Sequence, residues 1–287
     1  MINRLCLHGK LHHQTDVRMI LEQTGGRFYR AGNQRLVVGA QVADRMVIEN
    51  LRGRFQIDIN VLPDGFDPQQ VGLVVCDMDS TFVNVECIDE LANLSGHQAT
   101  VAAITGAAMR GEIDYAESLR KRVGLLAGLR LEQLEQVYRT RLETRWGVES
   151  LLSELAARRI PLVLVSGGFC FFAERLVRRF GLFDSLANQL QVDNGQLTGR
   201  LEGTLVDGQA KACFLAEVCK RLSITTDQVI AVGDGANDLP MLMAAGLGVA
   251  YQAHPVVQEA MDIVLNHSGL NALNDFLGWI DGSEYGW

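Results

Sequence analysis

Short apolar runs bounded by polar and small residues set the organisation of this chain. Val71–Cys76, Pro161–Val165 and Val229–Val232 are continuous apolar runs, each too short for a helix. Such runs predict parallel strands buried on both faces with helices between them, an α/β doubly wound sheet. Residues about 84–150 hold no comparable run; Leu91, Leu94, Leu119, Leu125 and Leu134 fall at helical spacings. That segment is predicted to be a helical cap inserted between the first strand and the next.

The first 62 residues read differently. Arg4–Leu11, Arg27–Arg30, Leu36–Ala40 and Phe55–Leu62 are strand-like, and Thr15–Glu22 and Val42–Leu51 are short amphipathic helices. Gly25-Gly26 ends the first helix, and Ala31-Gly32-Asn33-Gln34 turns between the middle strands. The order is βαββαβ, the ferredoxin-like pattern, and it resembles an ACT-type domain in the order of its elements. Pro63–Pro68 is a turn-rich linker, so the boundary is predicted there: a small domain over 1–65 and a catalytic domain over 66–287. On this reading a chain starting near Asp67 keeps its chemistry, and the first domain serves assembly, as a homodimer through its exposed sheet. Gly282–Trp287 reads as a frayed tail.

Composition narrows the partners. A net charge of −8 argues against a nucleic-acid partner, which would want a basic face. No long uncharged apolar stretch or signal-like run occurs, so a membrane span and export are not expected. The six cysteines form no CxxC pair and sit in apolar segments, as reduced thiols of a cytoplasmic protein would. An acidic chain that handles an anion must concentrate positive charge locally, through a metal or a few placed cations.

The candidate chemistry lies where the apolar runs end. In a doubly wound sheet, ligands bind beyond the carboxyl ends of the strands. The first run leads into Asp77-Met78-Asp79-Ser80-Thr81, the second into Ser166-Gly167-Gly168, the third into Gly233-Asp234-Gly235-Ala236-Asn237-Asp238. Any one alone has a plain reading: a DxD is a turn or helix cap, SGG a strand-to-helix turn, and Lys211 a solvated lysine. Their coincidence at three strand ends is the signal. Asp77 and Asp79, two apart on a strand, would point the same way, and with Asp234 they make an oxygen-rich site suited to Mg²⁺. Two like charges about 4 Å apart cost on the order of 4 kcal/mol at an effective dielectric of 20. That repulsion raises the proton affinity of whichever carboxylate the metal does not hold, which can then act as a general acid.

DMDST, SGG, a downstream lysine and GDGAND, in this order, resemble the haloacid dehalogenase superfamily of phosphatases over roughly residues 72–275. The resemblance implies a Rossmann-like parallel sheet, with Asp77 as nucleophile forming an aspartyl-phosphate and Asp79 as general acid and base. It implies Mg²⁺ held by Asp77, the Asp79 backbone carbonyl and Asp234. Ser166 and the Gly167 amide would bind phosphoryl oxygens, Lys211 would neutralise their charge, Asn237 would reach the substrate, and Asp238 would support the metal shell or orient Lys211.

The run Asp79–Ala92 and the segment Asp114–Val123 resemble phosphoserine phosphatases more closely. That implies Glu86 on the substrate ammonium, Arg122 on its carboxylate, and O-phosphoserine as the small-molecule substrate, cleaved to serine and phosphate. Taken alone, Glu86 is a first-turn helix residue and Arg122 one cation on an exposed face. His254 stands before Pro255 where the family commonly has a lysine. Cys170, four residues after Ser166, reads as a buried helix residue rather than a second nucleophile. The competing readings are a phosphotransferase or broader phosphomonoesterase of the same chemistry, which added alcohol acceptors would reveal, and an amino-acid-sensing protein with a vestigial catalytic half. Intact Asp77, Asp79, Lys211 and Asp234 argue against the last.

Overall fold

The structure, a computed structural model, describes residues 3–8, 14–25, 27–31, 34–40 and 45–277. The expected strand residues beyond His8, Gly26, the turn residues Gly32 and Asn33, positions 42–44 and the tail at 282–287 lie outside the described residues.

Strands β1 (Asn3–His8), β2 (Arg27–Ala31), β3 (Gln34–Ala40) and β4 (Asp58–Val61) form the first sheet. Helix α1 (Gln14–Thr24) lies between β1 and β2, and α2 (Arg45–Phe55) between β3 and β4. The strand order is β2-β3-β1-β4, and each neighbouring pair is antiparallel. Leu5, Leu7, Ile20, Ile48, Leu51 and Ile59 bury a core between helices and sheet. The last strand begins later than the expected Phe55. That residue ends α2, and Gln56, in left-handed backbone (φ 51), returns its N–H to Arg52 O at 2.9 Å. This is a helix stop. Phe55 packs on the same core from the helix side, so the alternation ran across two elements.

Beyond the linker, β5 (Leu73–Cys76) is followed by α3 (Cys87–Leu94), α4 (Gln98–Met109), α5 (Tyr115–Gly124) and α6 (Leu131–Thr140). The chain then returns through α7 (Val148–Arg158) to β6 (Leu162–Phe169), α8 (Cys170–Phe180) and the hairpin β7 (Asp184–Asp193) and β8 (Gln196–Glu202). It closes with α9 (Gly208–Leu222), β9 (Val229–Gly233), α10 (Leu239–Ala244), β10 (Leu247–Tyr251), α11 (Pro255–Ala260) and β11 (Ile263–Leu265). The strand order is β11-β10-β9-β5-β6-β7-β8, parallel except for the β7–β8 hairpin. Each of the three apolar runs is a buried strand in the middle of this sheet. Because β5, β6 and β9 are adjacent and parallel, their carboxyl ends meet on one side. The four helices α3–α6 leave after β5 and return beside it, where Val83 bridges Thr144. Among the described residues, no helix is long and apolar enough to cross a membrane.

The two sheets are joined by side chains rather than by a shared ladder. Asn60 on β4 donates from Nδ2 to Val264 O (3.0 Å) and accepts Val264 N–H on Oδ1 (2.8 Å). Asp58 takes the N–H groups of Asn266 (2.7 Å) and His267. Both side chains are buried, so β11, the edge of the larger sheet, has its outward backbone groups met by the first sheet. Cys6 and Leu62 also pack into the larger core. Arg52 Nη2 donates to Asn60 Oδ1 (2.7 Å) and fixes the carboxamide.

Asn60→Ala leaves the Val264 N–H and C=O buried without partners, a loss of roughly 1–3 kcal/mol. Urea unfolding of the variant and of the parent protein measures it; an unchanged midpoint would mean the two sheets do not support each other.

Candidate active site

The tight turn after β5 carries the first two aspartates. It bends sharply because Ser80 is left-handed (φ 58) and Val83 N–H reaches back to Met78 O at 2.9 Å. Asp77 and Asp79 therefore do not project as neighbours on a regular strand would. They face different partners. Arg145, on the return from the inserted helices, donates from Nε to Ser80 O (3.0 Å) and braces the turn.

Asp77 meets Lys211. The lysine comes from the first turn of α9, whose start is capped by Asp207 accepting Ala210 N–H at 2.8 Å. Its Nζ lies 2.5 Å from Asp77 Oδ1 and 2.5 Å from Asp238 Oδ1, with no exposure to solvent. Burial alone would lower the lysine's proton affinity; the Asp238 and Asp77 charges outweigh it and hold Lys211 above its ordinary value. Asp238 spends its other oxygen on the N–H groups of Asp234 (3.2 Å) and Gly235 (2.9 Å). Asp234 is turned by the Thr81 hydroxyl, which donates to its Oδ1 at 2.8 Å. Burial and the Asp238 charge push Asp234 up to about 6, and burial with the same charge raises Asp77. Carboxylate oxygens of Asp77, Asp234 and Asp238 all lie within 4.8 Å of one another, a cluster that can hold a metal ion.

Asp79 is held differently. Its Oδ1 accepts Cys87 N–H at the start of α3 (3.0 Å), and its Oδ2 accepts the Ser166 hydroxyl (2.9 Å). Ser166 Oγ itself takes Gly168 N–H at 2.8 Å, so its one proton goes to Asp79. A Cβ on Gly168 would sit 2.2 Å from Asp79 Oδ2, and one on Gly167 would sit 2.2 Å from the Tyr115 hydroxyl. These two glycines are there for close approach. Asn188 on β7 fixes the same loop, donating to Gly167 O (2.8 Å) and accepting Val206 N–H (2.9 Å).

These groups open onto one cavity of about 860 Å³, walled on the far side by α4 and α5. Glu86, Arg122, Gly167, Asn237 and His254 line it as well. Lys211 stays beneath the floor, reaching the cavity only through Asp77 and Asp238. Glu86 accepts the Ser80 hydroxyl at 2.7 Å. Its side chain is exposed to solvent, yet the protein packed around its carboxyl, then the Asp79 charge, push it up to about 8. His254 donates its backbone N–H to Asp234 O at 2.9 Å. Cys170 points elsewhere, its thiol against Ala187 O and pushed up by burial, which suits a packing role.

Every residue given a catalytic, substrate or metal role in the sequence thus falls at this cavity or directly behind it. Sequence reasoning gave no role to Thr81, although it stands inside the first motif. Tyr115, Arg145 and Asn188 carry no local signal, since each acts on a residue more than twenty positions away.

The family model described as haloacid dehalogenase-like hydrolase matches residues 74–243. A protein of Polaromonas sp. named phosphoserine phosphatase is 45% identical over 75% of this chain and 93% of its own length. One of Haemophilus influenzae with the same name is 42% identical, over 76% of this chain and 69% of that protein. Among solved structures, a HAD family hydrolase of Salmonella enterica serovar Typhi superposes with a TM-score of 0.87 at 28% identity, covering 96% of this chain and 98% of that one. A probable phosphoserine phosphatase of Vibrio cholerae gives 0.82 at 32% identity, over 96% and 86%. With the fold, the three strand-end motifs and these likenesses in agreement, the chain belongs to the haloacid dehalogenase-like hydrolases.

Proposed function

We propose that the chain hydrolyses O-phosphoserine to serine and phosphate, with Mg²⁺ and through an aspartyl-phosphate on Asp77. The observation that carries this is the meeting, in one cavity, of the Asp77–Lys211–Asp238 cluster with Glu86 and Arg122. The first set suits a phosphoryl group. The second suits an ammonium and a carboxylate. The names of the relatives support the same ester.

The metal fits the residues present. Asp238 already uses both oxygens, on Lys211 and on the Asp234 and Gly235 amides. Asp77, Asp234 and the Asp79 carbonyl are left to hold Mg²⁺, with Asp238 behind them orienting Lys211. Bound there, Mg²⁺ would offset the carboxylate repulsion and neutralise phosphoryl charge.

The chain's own groups then divide the work. The free carboxylate oxygen of Asp77 attacks phosphorus, and the phosphorus–serine oxygen bond breaks. Asp79, oriented by Cys87 N–H and Ser166, gives its proton to the departing serine oxygen. It then takes a proton from the water that hydrolyses the acyl phosphate, which restores both carboxyls. The Gly167 amide and Asn237 meet the phosphoryl oxygens, Lys211 offsets their charge from behind Asp77 and Asp238, and Ser166 joins the first two when it releases Asp79. A reduced cytoplasm suits the six free cysteines. Self-association would use β2, the open edge of the first sheet.

Phosphate release from O-phosphoserine is expected with Mg²⁺ and lost with EDTA. Asp77→Asn, nearly isosteric, removes turnover, while the parent protein quenched in acid carries a hydroxylamine-sensitive phosphoenzyme. Turnover persisting in the variant refutes the covalent route.

Glu86→Gln or Arg122→Met is expected to damage phosphoserine turnover far more than turnover of an aryl phosphate, because each removes a charged contact of roughly 2–5 kcal/mol to the amino-acid part alone. Equal losses on both esters would reassign these residues to structure.

Asp234 and Glu86 bind protons more tightly folded, at about 6 and about 8, than their ordinary values of 3.8 and 4.5. Over that window the folded state holds more protons than the unfolded one, so metal-free protein loses stability as pH rises from about 4 to about 8. Mg²⁺ is expected to flatten the loss. Thermal midpoints across pH, with and without Mg²⁺, measure both; a metal-free midpoint that climbs with pH contradicts the arrangement.

A further inference from the structure

The wall of the cavity formed by the inserted helices holds three polar groups with nothing to bond to. Thr105 Oγ1 on α4, Ser118 Oγ on α5 and Arg122 Nε on α5 are shielded from solvent, and none has a hydrogen-bond partner. All three residues line the cavity that contains Asp77 and Asp79. A serine or threonine inside a helix ordinarily returns its hydroxyl to the carbonyl four residues back. Thr24 does so onto Ile20 O (2.7 Å) and Thr140 onto Gln136 O (2.9 Å). Thr105 and Ser118 forgo that bond. Ser118 is only 1% exposed, so water from the bulk does not replace it.

The three are placed to act together. Ser118 and Arg122 are four residues apart on α5 and share one face of that helix. Helix α4 packs against α5 and brings Thr105 to the same cavity. A guanidinium N–H and two hydroxyl protons are all donors, and buried donors left open are costly. What completes such a group is an acceptor with several lone pairs and a negative charge. A carboxylate has two oxygens, about four acceptor sites and no proton to offer in return. The chain's nearby carboxyl is Asp89, which feels the Arg122 charge without accepting a hydrogen bond from these groups.

We infer that the Thr105 and Ser118 hydroxyls, together with Arg122 Nε, form the receptor for the substrate's α-carboxylate. The inference rests on the phosphoserine reading and adds two neutral residues to it. One carboxylate then bonds to α4 and α5 at once, so the acid group of the substrate draws two helices of the wall onto a single ligand.

The test compares O-phosphoserine with O-phosphoethanolamine, which keeps the phosphate and the ammonium and lacks only the carboxylate. Thr105→Val and Ser118→Ala are expected to raise KM for phosphoserine about tenfold or more, the usual weight of a bond to a charged group. For phosphoethanolamine, kcat/KM should stay within about twofold of the parent protein. Thr105→Ser, which keeps the hydroxyl, should restore phosphoserine binding. Equal changes on both substrates, no change on either, or failure of Thr105→Ser to rescue would overturn the proposal, leaving the hydroxyls to packing or a trapped water. An unsubstituted protein that hydrolyses both esters alike would overturn the substrate reading itself, and the receptor with it.

Discussion

A lysine ammonium with no access to water needs anions around it, and Lys211 has two. Removing one partner of such a buried cluster leaves an uncompensated charge, which costs several kcal/mol. The requirement reaches far beyond the contact. Asp77 stands at the end of β5, Asp238 on the loop after β9, and Lys211 on α9, so satisfying the lysine fixes two central strands and one covering helix against each other. Asp238 transmits the constraint through its second oxygen to the amides of Asp234 and Gly235, and Thr81 completes the ring by turning Asp234 back towards the first loop. The same residues that anchor the fold are those that crowd negative charge into one place.

That crowding explains the electrostatics of the floor. Two carboxyls there are pushed up, each by burial first and by the Asp238 charge next. Lys211 offsets part of the repulsion from below. A cation on the cavity side would offset the rest, and it would do so only once the protein is folded, because the carboxylates are brought together by strands more than 150 residues apart in sequence.

The catalytic floor was legible in the sequence because each piece of it is local: an apolar strand too short to be a helix, then a compact polar motif. The strand-end rule puts Asp77, Ser166 and Asp234 on one side of the sheet from sequence alone. What was not legible depends on register and rotamer. Asn60 and Val264 meet across 204 residues, and nothing in either neighbourhood announces it. The linker of turn residues at 63–68 marks a boundary in the sequence and says nothing of how the flanking surfaces fit. Phe55 misled because an apolar side chain continues a strand pattern as well as it ends a helix. Nothing around Arg145 in sequence announces its role, which depends on the left-handed Ser80 offering it a carbonyl to hold. Thr105 and Ser118 are ordinary helix residues by pattern, and only the absence of their usual back-bonds sets them apart.

The bridge between Val83 and Thr144 has an evolutionary meaning. Although α3–α6 separate β5 from β6 in sequence, the two strands still pair directly, because the long excursion leaves and re-enters the sheet at adjacent points. A segment with touching ends can lengthen, shorten or be exchanged with little strain on its parent, since closing a longer loop adds only a slowly growing entropic cost. On the reading proposed above, bond breaking stays with the parent sheet, while the choice of molecule sits largely in the excursion. A lineage could therefore acquire new substrates by rewriting one replaceable cassette, with its reactive aspartates untouched.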